Sequence, residues 1–575
     1  MILNNKQNMK KNLGNIDRVL RLVLAIIVLT IIFFVDSILF QIFIALLSLF
    51  IIYEALAGWC VIYALIGRNT CPVIFTTENK INKKKVLIVG AGPGGLSTGM
   101  ILASRGFDVL IVEKENSVGG RNAPLKIGDY TFEVGPTFII LPQVFKEIFS
   151  LAGRKLEDYL DFQKVDPMYR LRFSDGRDFM VHDNKEKLKA EIARLFPGEE
   201  IGYERWFKKH KEKFEKTYAC LAVPYLHFYN YFRYKLLRAL PVMQLHKSVN
   251  QVLEGYFKTK EMIMASGFQA KYLGMSPWHC PGAFSILSYS EHGYGIYHTI
   301  GGVHKISEAM EKVIGEYGGK IEFGSIVKDV IVNNGKTEGV LLCDGRKIDA
   351  DYVVLNADFA YAMTNLVKEE ARPSYSDKKI EKMKYSCSTF MLYLGLKKKY
   401  DIPHHNIFFG NDYKLNVDQI FNGNGMPDDP AFYIQNPVEI DSTLAPEGKS
   451  ALYVLVPVSN LTSGFPWQEK KTELRNLIIK LIKERTELKD IEEYIEVEKI
   501  ITPEDWSSTF NVYNGAVFNL AHSIDQMLYL RPHNRFNDIK NLYLVGGGTH
   551  PGSGLPTILE SGRIAANLIS EDIEN

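Results

Sequence analysis

The stretch VLIVGAGPGGLSTGMILASRGFDVLIVEKENSVGGRN, residues 86–122, decides the fold of the larger part of this chain. It combines two apolar, β-branched runs with a glycine-rich turn and a segment of helical composition. The predicted order is strand, turn, helix and strand, at residues 86–89, 90–95, 96–104 and 109–112. This order predicts a βαβ unit of an α/β fold.

Three glycines in the turn have the spacing G-x-G-x-x-G. Gly90 permits the tight turn, Gly92 lets a pyrophosphate approach the backbone, and Gly95 lets the helix pack closely on the strand. The helix N-terminus, with its unpaired amides, would then face the phosphates. Glu113 ends the second strand and offers a carboxylate to the ribose hydroxyls. We therefore predict a dinucleotide site; the alternative is a glycine-rich βαβ unit that binds nothing.

The next segment, VGGRNAPLKIGDYTFEVGPTFI, indicates which dinucleotide the predicted site binds. It resembles the flavoprotein amine-oxidase superfamily, in which G-G-R follows the ribose acid and the arginine lies near the FAD pyrophosphate. The resemblance implies FAD as the cofactor. The residues that it adds to the site are Gly119, Gly120, Arg121, Gly135, Pro136 and Thr137. The alternative for the arginine is a solvated loop side chain.

Near the C-terminus, NLYLVGGGTHPGSGLPTILESGRIAANLI (residues 541–569) predicts a strand, a glycine loop and a helix that starts near Pro556. Gly546, Gly547 and Gly548 allow close approach to a flavin's ribityl chain. The positive end of the helix, at Thr557, would point at the N1–C2 edge of the flavin, where reduction places negative charge.

The segments TPEDW, YNGAVFNL and LRPHNRFNDIKNLYLVG resemble bacterial carotenoid desaturases, and this resemblance extends from about residue 85 to the C-terminus. It implies a Rossmann-like FAD-binding domain interleaved with a hydrophobic substrate domain, and a membrane-dissolved polyene as substrate. It also implies further cofactor contacts at Asn356, Thr549, Gly554, Leu555 and Pro556. Two departures leave the substrate open: residues 559–562 resemble amine oxidases more closely, and residues 278–294 match the family less tightly.

Residues 19–35 and 38–53 are almost free of charge and predict a transmembrane helical hairpin connected at Asp36 and Ser37. Both flanks are basic, through Lys10, Lys11, Arg18 and Arg21 on one side and Arg68, Lys80, Lys83, Lys84 and Lys85 on the other. The charge bias places both ends in the cytoplasm of a bacterium, with the catalytic domain beside its inner membrane. A secretory signal would be shorter and would end at a small-residue cleavage site.

The N-terminal region also resembles a small two-helix bacterial membrane domain of unknown function, sometimes fused to rhodanese-like domains. Cys60 and Cys71 match its cysteine positions. They are either a redox-active thiol pair or two structural cysteines, and we predict no metal site. The other cysteines are scattered, as in a reducing compartment.

The predicted organisation is a membrane hairpin followed by alternating parts of two domains. The hairpin occupies residues 1–75. The FAD-binding parts are residues 84–165, 296–365 and 501–575, and the substrate parts are residues 166–295 and 366–500. Residues 225–240, YLHFYNYFRYKLLRAL, suit either an interfacial helix with basic side chains at the headgroups or a buried core helix. The net charge of +2 argues against a nucleic-acid partner.

The chemistry implied by the resemblance is hydride transfer to the flavin N5 with loss of a proton from the neighbouring carbon. It needs an apolar tunnel more than a nucleophile. His550 is a candidate base, or it holds its turn together. A quinone or oxygen would reoxidise the flavin. Carotenoid isomerisation, terminal-methyl oxidation and prenyl-lipid carriage stay open as alternatives.

Overall fold

The computed structural model describes residues 13–61, 84–423 and 425–574. These residues form two units. The first lies within Met1–Lys80 and Tyr229–Arg238, and the second lies within Ile81–Phe228 and Ala239–Asn575.

The helices of the described residues are numbered here in chain order. They are α1 Asn15–Thr30, α2 Ile38–Ala57, α3 Pro93–Ser104, α4 Pro142–Leu151, α5 Lys185–Leu195, α6 Glu199–Leu221, α7 Tyr234–Met243, α8 Val249–Leu253, α9 Lys260–Gly267, α10 Ile286–Tyr294, α11 Lys305–Glu316, α12 Phe359–Leu366, α13 Asp377–Glu381, α14 Tyr413–Asn422, α15 Trp467–Arg485, α16 Pro503–Phe510 and α17 Leu555–Glu574.

The strands are numbered in the same way. They are β1 Lys85–Val89, β2 Asp108–Val112, β3 Pro124–Ile127, β4 Tyr130–Glu133, β5 Phe162–Lys164, β6 Tyr169–Arg172, β7 Asp178–Val181, β8 Tyr297–Thr299, β9 Lys320–Glu322, β10 Val327–Asn333, β11 Lys336–Leu342, β12 Lys347–Asp349, β13 Tyr352–Leu355, β14 Ser388–Leu396, β15 His405–Phe408, β16 Phe432–Gln435, β17 Ser450–Val458, β18 Ile495–Ile501 and β19 Leu542–Leu544.

In the first unit, α1 and α2 lie side by side. Ser48 Oγ in α2 donates a hydrogen bond to the Ala25 carbonyl in α1 at 2.8 Å, and Arg21 forms an ion pair with Glu54 at 2.6 Å. Among the described helices, α2 has the length and apolar composition needed to cross a membrane. Cys60 is buried beside these helices, whereas Cys71 lies outside the described residues.

The second unit contains a five-stranded sheet in the order β19-β13-β1-β2-β9. All neighbouring strands in it are parallel. Helix α3 packs against it, and its close approach to the sheet is made at Gly99, where a Cβ would lie 3.0 Å from Ile111. Because parallel strands end at one edge of the sheet, the turns after β1, β2, β13 and β19 lie together.

A seven-stranded mixed sheet has the order β18-β14-β17-β16-β15-β6-β7. One face packs on a core that includes the helix α15, through residues such as Phe390, Leu392 and Ile482. Since side chains alternate along a strand, the neighbouring residues on β14 to β17 point to the opposite face. That face borders the cavity described below.

The strand order shows how the two sheets share the chain. Strands of the parallel sheet come from residues 85–112, 320–322, 352–355 and 542–544, and those of the mixed sheet from residues 169–181 and 388–501. The chain therefore passes between the two sheets more than once. The five boundaries assigned from the sequence stay predictions.

Two elements differ from the sequence prediction. Helix α3 begins at Pro93 rather than at residue 96, because proline is favourable in the first turn of a helix and Gly92 serves as its N-cap. Residues 225–240 form a short 3₁₀ helix, Phe228–Phe232, and then the start of α7, instead of one helix. Phe228, Tyr229 and Phe232 are each more than 60% exposed, which favours the interfacial alternative over a buried core helix.

Candidate active site

The turn between β1 and α3 lies against the end of β2. Gly90 has a φ of +98°, which L side chains rarely adopt. The Glu113 carboxylate accepts hydrogen bonds from the N–H groups of Ala91, at 2.7 Å, and Glu115, at 3.0 Å. Glu113 also lines the cavity. A carboxylate can accept about four hydrogen bonds, so these two leave capacity for a ligand hydroxyl.

Asn356, directly after β13, supports this turn. Its Nδ2 donates to the Gly90 carbonyl at 3.0 Å. A Cβ on Gly92 would lie 2.9 Å from that Nδ2, and a Cβ on Gly95 would overlap the Gly90 carbonyl oxygen. Side chains at these two glycines would therefore deform the turn. The structure brings Asn356 and the G-x-G-x-x-G glycines together.

The G-G-R segment lies opposite the turn. Gly119 and Gly120 have φ values of +115° and +53°. Arg121 Nη1 donates to the Val517 carbonyl at 2.8 Å, so this side chain is held in place and is not a freely solvated loop arginine. Burial lowers the pKa of Arg121, and the nearby carboxylate of Asp358 partly offsets this effect.

The G-P-T segment forms the next part of the wall. Gly135, Pro136 and Thr137 all line the cavity. The Gly135 carbonyl accepts a hydrogen bond from the Tyr453 hydroxyl at 2.9 Å. Thr137 Oγ1 lies 3.0 Å from the Tyr433 hydroxyl. Two tyrosines of the mixed sheet thus hold this loop of the parallel-sheet part.

The C-terminal glycine loop closes the same cavity. Gly546, with a φ of +112°, and Gly547 line it. Gly548 is not part of the lining, and a Cβ there would overlap the Asn519 side chain. Thr549 Oγ1 donates to the Gly546 carbonyl at 2.9 Å. We conclude that Gly548 and Thr549 shape the loop and do not line the cavity.

Arg531 and Asn534, which the sequence singles out only as part of a motif, anchor that loop. The buried guanidinium of Arg531 donates to five carbonyl oxygens, those of Leu520, Ala521, Gln526, Gly547 and Thr549. Burial lowers its pKa to about 9. Asn534 Nδ2 donates to the carbonyls of Leu544 and His550 at 3.2 and 2.9 Å. An R-P-H-N motif gives no sequence signal for such carbonyl binding.

His550 lies behind the loop and does not line the cavity. Its Nε2 is 2.9 Å from the Val223 carbonyl and therefore donates to it. Burial lowers the pKa of His550 to about 3, so the ring is neutral. This placement does not support the candidate base and agrees with the alternative, a histidine that holds its turn.

Asp358, the last residue of the Asn-Ala-Asp sequence that begins at Asn356, also lines the cavity but is not among the predicted cofactor contacts. It caps α12 by accepting from the Tyr361 N–H at 3.2 Å, and it accepts from Asn519 Nδ2 at 2.6 Å. Burial raises the pKa of Asp358, while Arg121 lowers it. Its position two residues after Asn356, at the end of a parallel strand, was the available signal.

These residues surround one cavity of about 770 Å³. The predicted residues that line it are Gly90, Gly92, Glu113, Gly120, Arg121, Gly135, Pro136, Thr137, Asn356, Gly546, Gly547, Gly554, Leu555 and Pro556. Gly95, Gly119, Gly548, Thr549 and His550 lie outside the lining. The remaining wall is largely aromatic and aliphatic, formed by Phe138, Ile140, Phe268, Tyr272, Ile407, Phe409, Tyr413, Tyr433, Tyr453, Leu455, Trp506, Phe510 and Phe518.

The lining fits a flavin dinucleotide. On one side it has glycine backbone, the Glu113 carboxylate and the first turn of α3, which together suit a ribose and a pyrophosphate. On the other side, Gly554, Leu555 and Pro556 begin α17, whose N-terminus favours the negative charge of a reduced flavin ring. The apolar part of the wall extends beyond the residues that suit the nucleotide and those that suit the flavin ring.

Comparisons with known proteins agree with this geometry. Residues 93–570 match the family of flavin containing amine oxidoreductases, and residues 9–73 match the transmembrane domain of the YgaP-like inner membrane protein family. A 4,4′-diapophytoene desaturase (4,4′-diapolycopene-forming) of Methylomonas sp is 48% identical over 490 residues, covering 85% of this chain and 96% of that protein.

Two further proteins extend the comparison. An all-trans-zeta-carotene desaturase of Myxococcus xanthus is 38% identical over 500 residues, covering 85% of this chain and 94% of its own. The crystal structure of an oxidoreductase from Methanosarcina mazei superposes with a TM-score of 0.55 at 17% identity, covering 85% of this chain and 100% of that chain. At this identity, the structural likeness shows the fold alone.

Proposed function

Because this chain belongs to the flavin-containing amine oxidoreductase family and requires FAD, we propose that it desaturates a linear, membrane-dissolved polyene of the diapophytoene or phytoene type. The observation that carries the proposal is the composition of one cavity. The same 770 Å³ space is bordered by the glycine turns and acid that suit FAD and by an extended aromatic wall. Its relatives, which are carotenoid desaturases, support this choice of substrate class.

The residues proposed to hold FAD are those that line the nucleotide side of the cavity. Gly90, Gly92 and the α3 N-terminus would bind the pyrophosphate, Glu113 the ribose, and Arg121 the phosphate region. When bound, the flavin would supply the hydride acceptor. Gly546, Gly547 and the start of α17 would lie along its ribityl chain and ring.

The protein's own contribution to desaturation would be positioning in a dry, apolar space. A hydrocarbon chain presents no group for hydrogen bonding, so only shape and apolar contact can align it. The ring centroid of Phe138 lies 5.4 Å from that of Tyr272 and 5.4 Å from that of Tyr433 along this wall. Such a row of rings would hold one segment of the polyene beside the flavin.

The N-terminal unit associates this enzyme with a membrane. We propose that it anchors the chain in the inner membrane of a bacterium, with the catalytic part in the cytoplasm. The polyene, its product and a quinone all partition into the bilayer, so a quinone, or oxygen, would serve as the final electron acceptor.

The test is an anaerobic reaction of the full chain in liposomes, followed by the flavin absorbance. We expect diapophytoene or phytoene to bleach the flavin and turnover to require an added quinone or oxygen.

The variant Gly95→Val should be purified without flavin, because its side chain would overlap the Gly90 carbonyl. Gly315→Ala is the matched control, since a Cβ there meets nothing within 4 Å. Bleaching by a primary amine but by no polyene would overturn the proposal.

A further inference from the structure

Desaturation removes a proton from a carbon in an apolar cavity, and that proton has to reach water. Two C–H bonds on neighbouring carbons break in each step. One hydrogen would leave with its electron pair, for which a bound flavin would supply the acceptor. The electron pair of the other C–H bond becomes the new π bond, and its hydrogen leaves as a proton. The cavity wall therefore needs a group that accepts the proton and a route by which it departs.

The strands β15 and β16 place polar groups at this wall. His405 is opposite Gln435 in the antiparallel pair, and Ile407 is opposite Tyr433. Since alternate residues share a face, His405, Tyr433 and Gln435 all point away from the core behind the sheet. Tyr433 lines the cavity, and its hydroxyl lies 2.7 Å from His405 Nδ1 and 3.0 Å from Thr137 Oγ1, another residue of the lining.

Two further histidine rings follow His405 in a row, first His404 and then His298. The rings of His405 and His404 have centroids 4.3 Å apart, and those of His404 and His298 are 4.9 Å apart. Gln435 Nε2 donates to His404 Nε2 at 3.1 Å, which places the His404 proton on Nδ1. All three rings are at most 2% exposed.

The series ends at the protein surface. His298 Nε2 lies 3.0 Å from a carboxylate oxygen of Asp441. The other oxygen of Asp441 accepts a hydrogen bond from the Thr443 hydroxyl at 2.6 Å. Asp441 is 1% exposed, whereas Thr443 is an exposed residue. Polar groups thus connect the cavity to solvent across an otherwise apolar core.

The three histidines have unused hydrogen-bonding capacity at their mutual contacts. His405 Nε2, His404 Nδ1 and His298 Nδ1 are buried and have no hydrogen-bond partner. Buried polar groups usually have a hydrogen-bond partner, so one unpaired nitrogen in each of three adjacent rings is unusual for a purely structural cluster. Each ring thus keeps one nitrogen at which it can take up or release a proton.

We propose that Tyr433, His405, His404, His298 and Asp441 form the exit path of the substrate proton. The inference rests on the proposed desaturase function. The Tyr433 oxygen accepts the proton from the substrate carbon as its own hydroxyl proton passes to His405 Nδ1. In the same relay the His405 Nε2 proton moves to His404 as the His404 Nδ1 proton moves to His298 Nδ1, and the His298 Nε2 proton moves to the Asp441 carboxylate, from which one proton leaves at Thr443.

The charge states of these groups agree with this direction of transfer. Burial, and then the neighbouring His298, lower the pKa of His405 well below its ordinary value. The ring is therefore neutral at rest, and it can accept the Tyr433 hydroxyl proton at Nδ1 only as its Nε2 proton leaves in the same step. Burial opposes ionisation of Asp441, but hydrogen bonds led by that from His298 outweigh it and lower its pKa to about 2. The path thus ends at a negative charge.

Lys271 is the competing acceptor in the same cavity. It lines the wall, with Nζ 4.6 Å from the centre of the Tyr413 ring and 3.4 Å from Asn416 Oδ1. Burial lowers its pKa to about 8. A test of the path therefore has to separate this amine from the Tyr433 hydroxyl.

The experiment compares variants of the full, FAD-loaded chain in liposomes under anaerobic conditions. Tyr433→Phe keeps the ring and removes the hydroxyl, and His298→Gln interrupts the path away from the cavity wall. His279→Asn is the control, because His279 is an exposed histidine. The readouts are the rate of flavin reduction by the polyene, its solvent deuterium isotope effect, polyene affinity by tryptophan quenching, FAD content and thermal unfolding.

We expect Tyr433→Phe to lower the rate about 100-fold, the lower end of the range for general acid–base catalysis. Polyene affinity and FAD content should stay within about twofold. His298→Gln should lower the rate about 10-fold and raise the solvent isotope effect above that of the control.

Rates of flavin reduction within twofold of the control in both variants would overturn the proposed path. A lower rate that is fully accounted for by weaker polyene binding or by a lower FAD content would overturn it as well. A loss in Lys271→Met alone would assign the proton to the lysine. If the unaltered protein reduces no flavin with any polyene, the proposed function itself fails.

Discussion

Arg531 shows how much of the active-site geometry depends on one buried side chain. Five carbonyl oxygens from three segments converge on its guanidinium. Two of them belong to Gly547 and Thr549 of the loop that closes the cavity. A lysine in this place has three donors on one atom and cannot reproduce the planar fork. Carbonyls left without a donor in a buried site each cost about 1–3 kcal/mol.

We therefore predict that Arg531→Lys lowers the free energy of unfolding by about 3–5 kcal/mol. It should also release FAD, since the loop would no longer be held. Arg346→Lys is the matched control; Arg346 is an exposed arginine in ion pairs with Asp344 and Glu322, and its replacement should leave the free energy of unfolding almost unchanged. Denaturant unfolding and flavin absorbance measure both effects. Equal stability of the two variants would show that the carbonyl contacts contribute little.

At this scale the sequence predicts the residues whose role depends on local backbone. The spacing of Gly90, Gly92 and Gly95 specifies a turn whatever the rest of the chain does. The roles of Arg531 and Tyr433 depend on segments that meet only after folding, Thr137 with Tyr433 being 296 positions apart. No local pattern carries that information. For the same reason, His550 could be placed in the right loop from the sequence but not on the correct side of it.

Among the elements, the two N-terminal helices are held together by charged groups as well as by apolar contact. Arg21 in α1 pairs with Glu54 in α2 at 2.6 Å, and the Glu54 side chain is 3% exposed. Arg18 Nε donates to the Ala55 carbonyl at 2.7 Å. Charged side chains in or near an apolar segment are costly unless they are paired.

We predict that Glu54→Leu lowers the amount of full-length protein in the membrane fraction several-fold, because it leaves Arg21 without its carboxylate in an apolar setting. The exchange variant Arg21→Glu with Glu54→Arg restores the pair in the opposite sense and should recover part of the loss. Quantitative immunoblotting of membrane fractions checks both. No difference between the single and the exchange variant would mean that the pair does not stabilise these helices.

Element type follows from composition more reliably than element bounds do. The apolar run at residues 38–53 predicts a helix, and α2 extends it to Ala57, where Gly58 in the left-handed conformation ends it. The aromatic run at residues 225–240 has no such clear period. It divides at Arg233 between a 3₁₀ helix and α7. Tertiary contacts, which composition does not report, decide such divisions.

For the whole molecule, the interleaved sheets explain how one cavity could serve the two purposes proposed for it. The parallel sheet brings the glycine turns at residues 90–95, 119–120 and 546–547 to one edge. The mixed sheet contributes Tyr433 and Tyr453, which bond to Thr137 and Gly135. The proposed flavin site and the proposed polyene wall are therefore in direct contact, and the motif resemblance could predict this arrangement only as a property of the family.

The orientation of the chain in the membrane is the remaining prediction for the whole molecule. Basic residues lie on both flanks of residues 19–53, while the connection at Asp36 and Ser37 has none. Lysine and arginine near a span are retained in the cytoplasm, so both ends should stay there and the connection should reach the periplasm.

We predict that reporters fused after Asn4 and after Lys80 both give a cytoplasmic signal, whereas one inserted at Ser37 gives a periplasmic signal. Replacing Lys10 and Lys11 with glutamine removes positive charge from the N-terminal flank. This change should weaken the cytoplasmic signal at Asn4 without affecting that at Lys80. A periplasmic signal at Lys80 would put the catalytic part on the wrong side of the membrane for a cytoplasmic FAD supply, and the hairpin prediction would then be wrong.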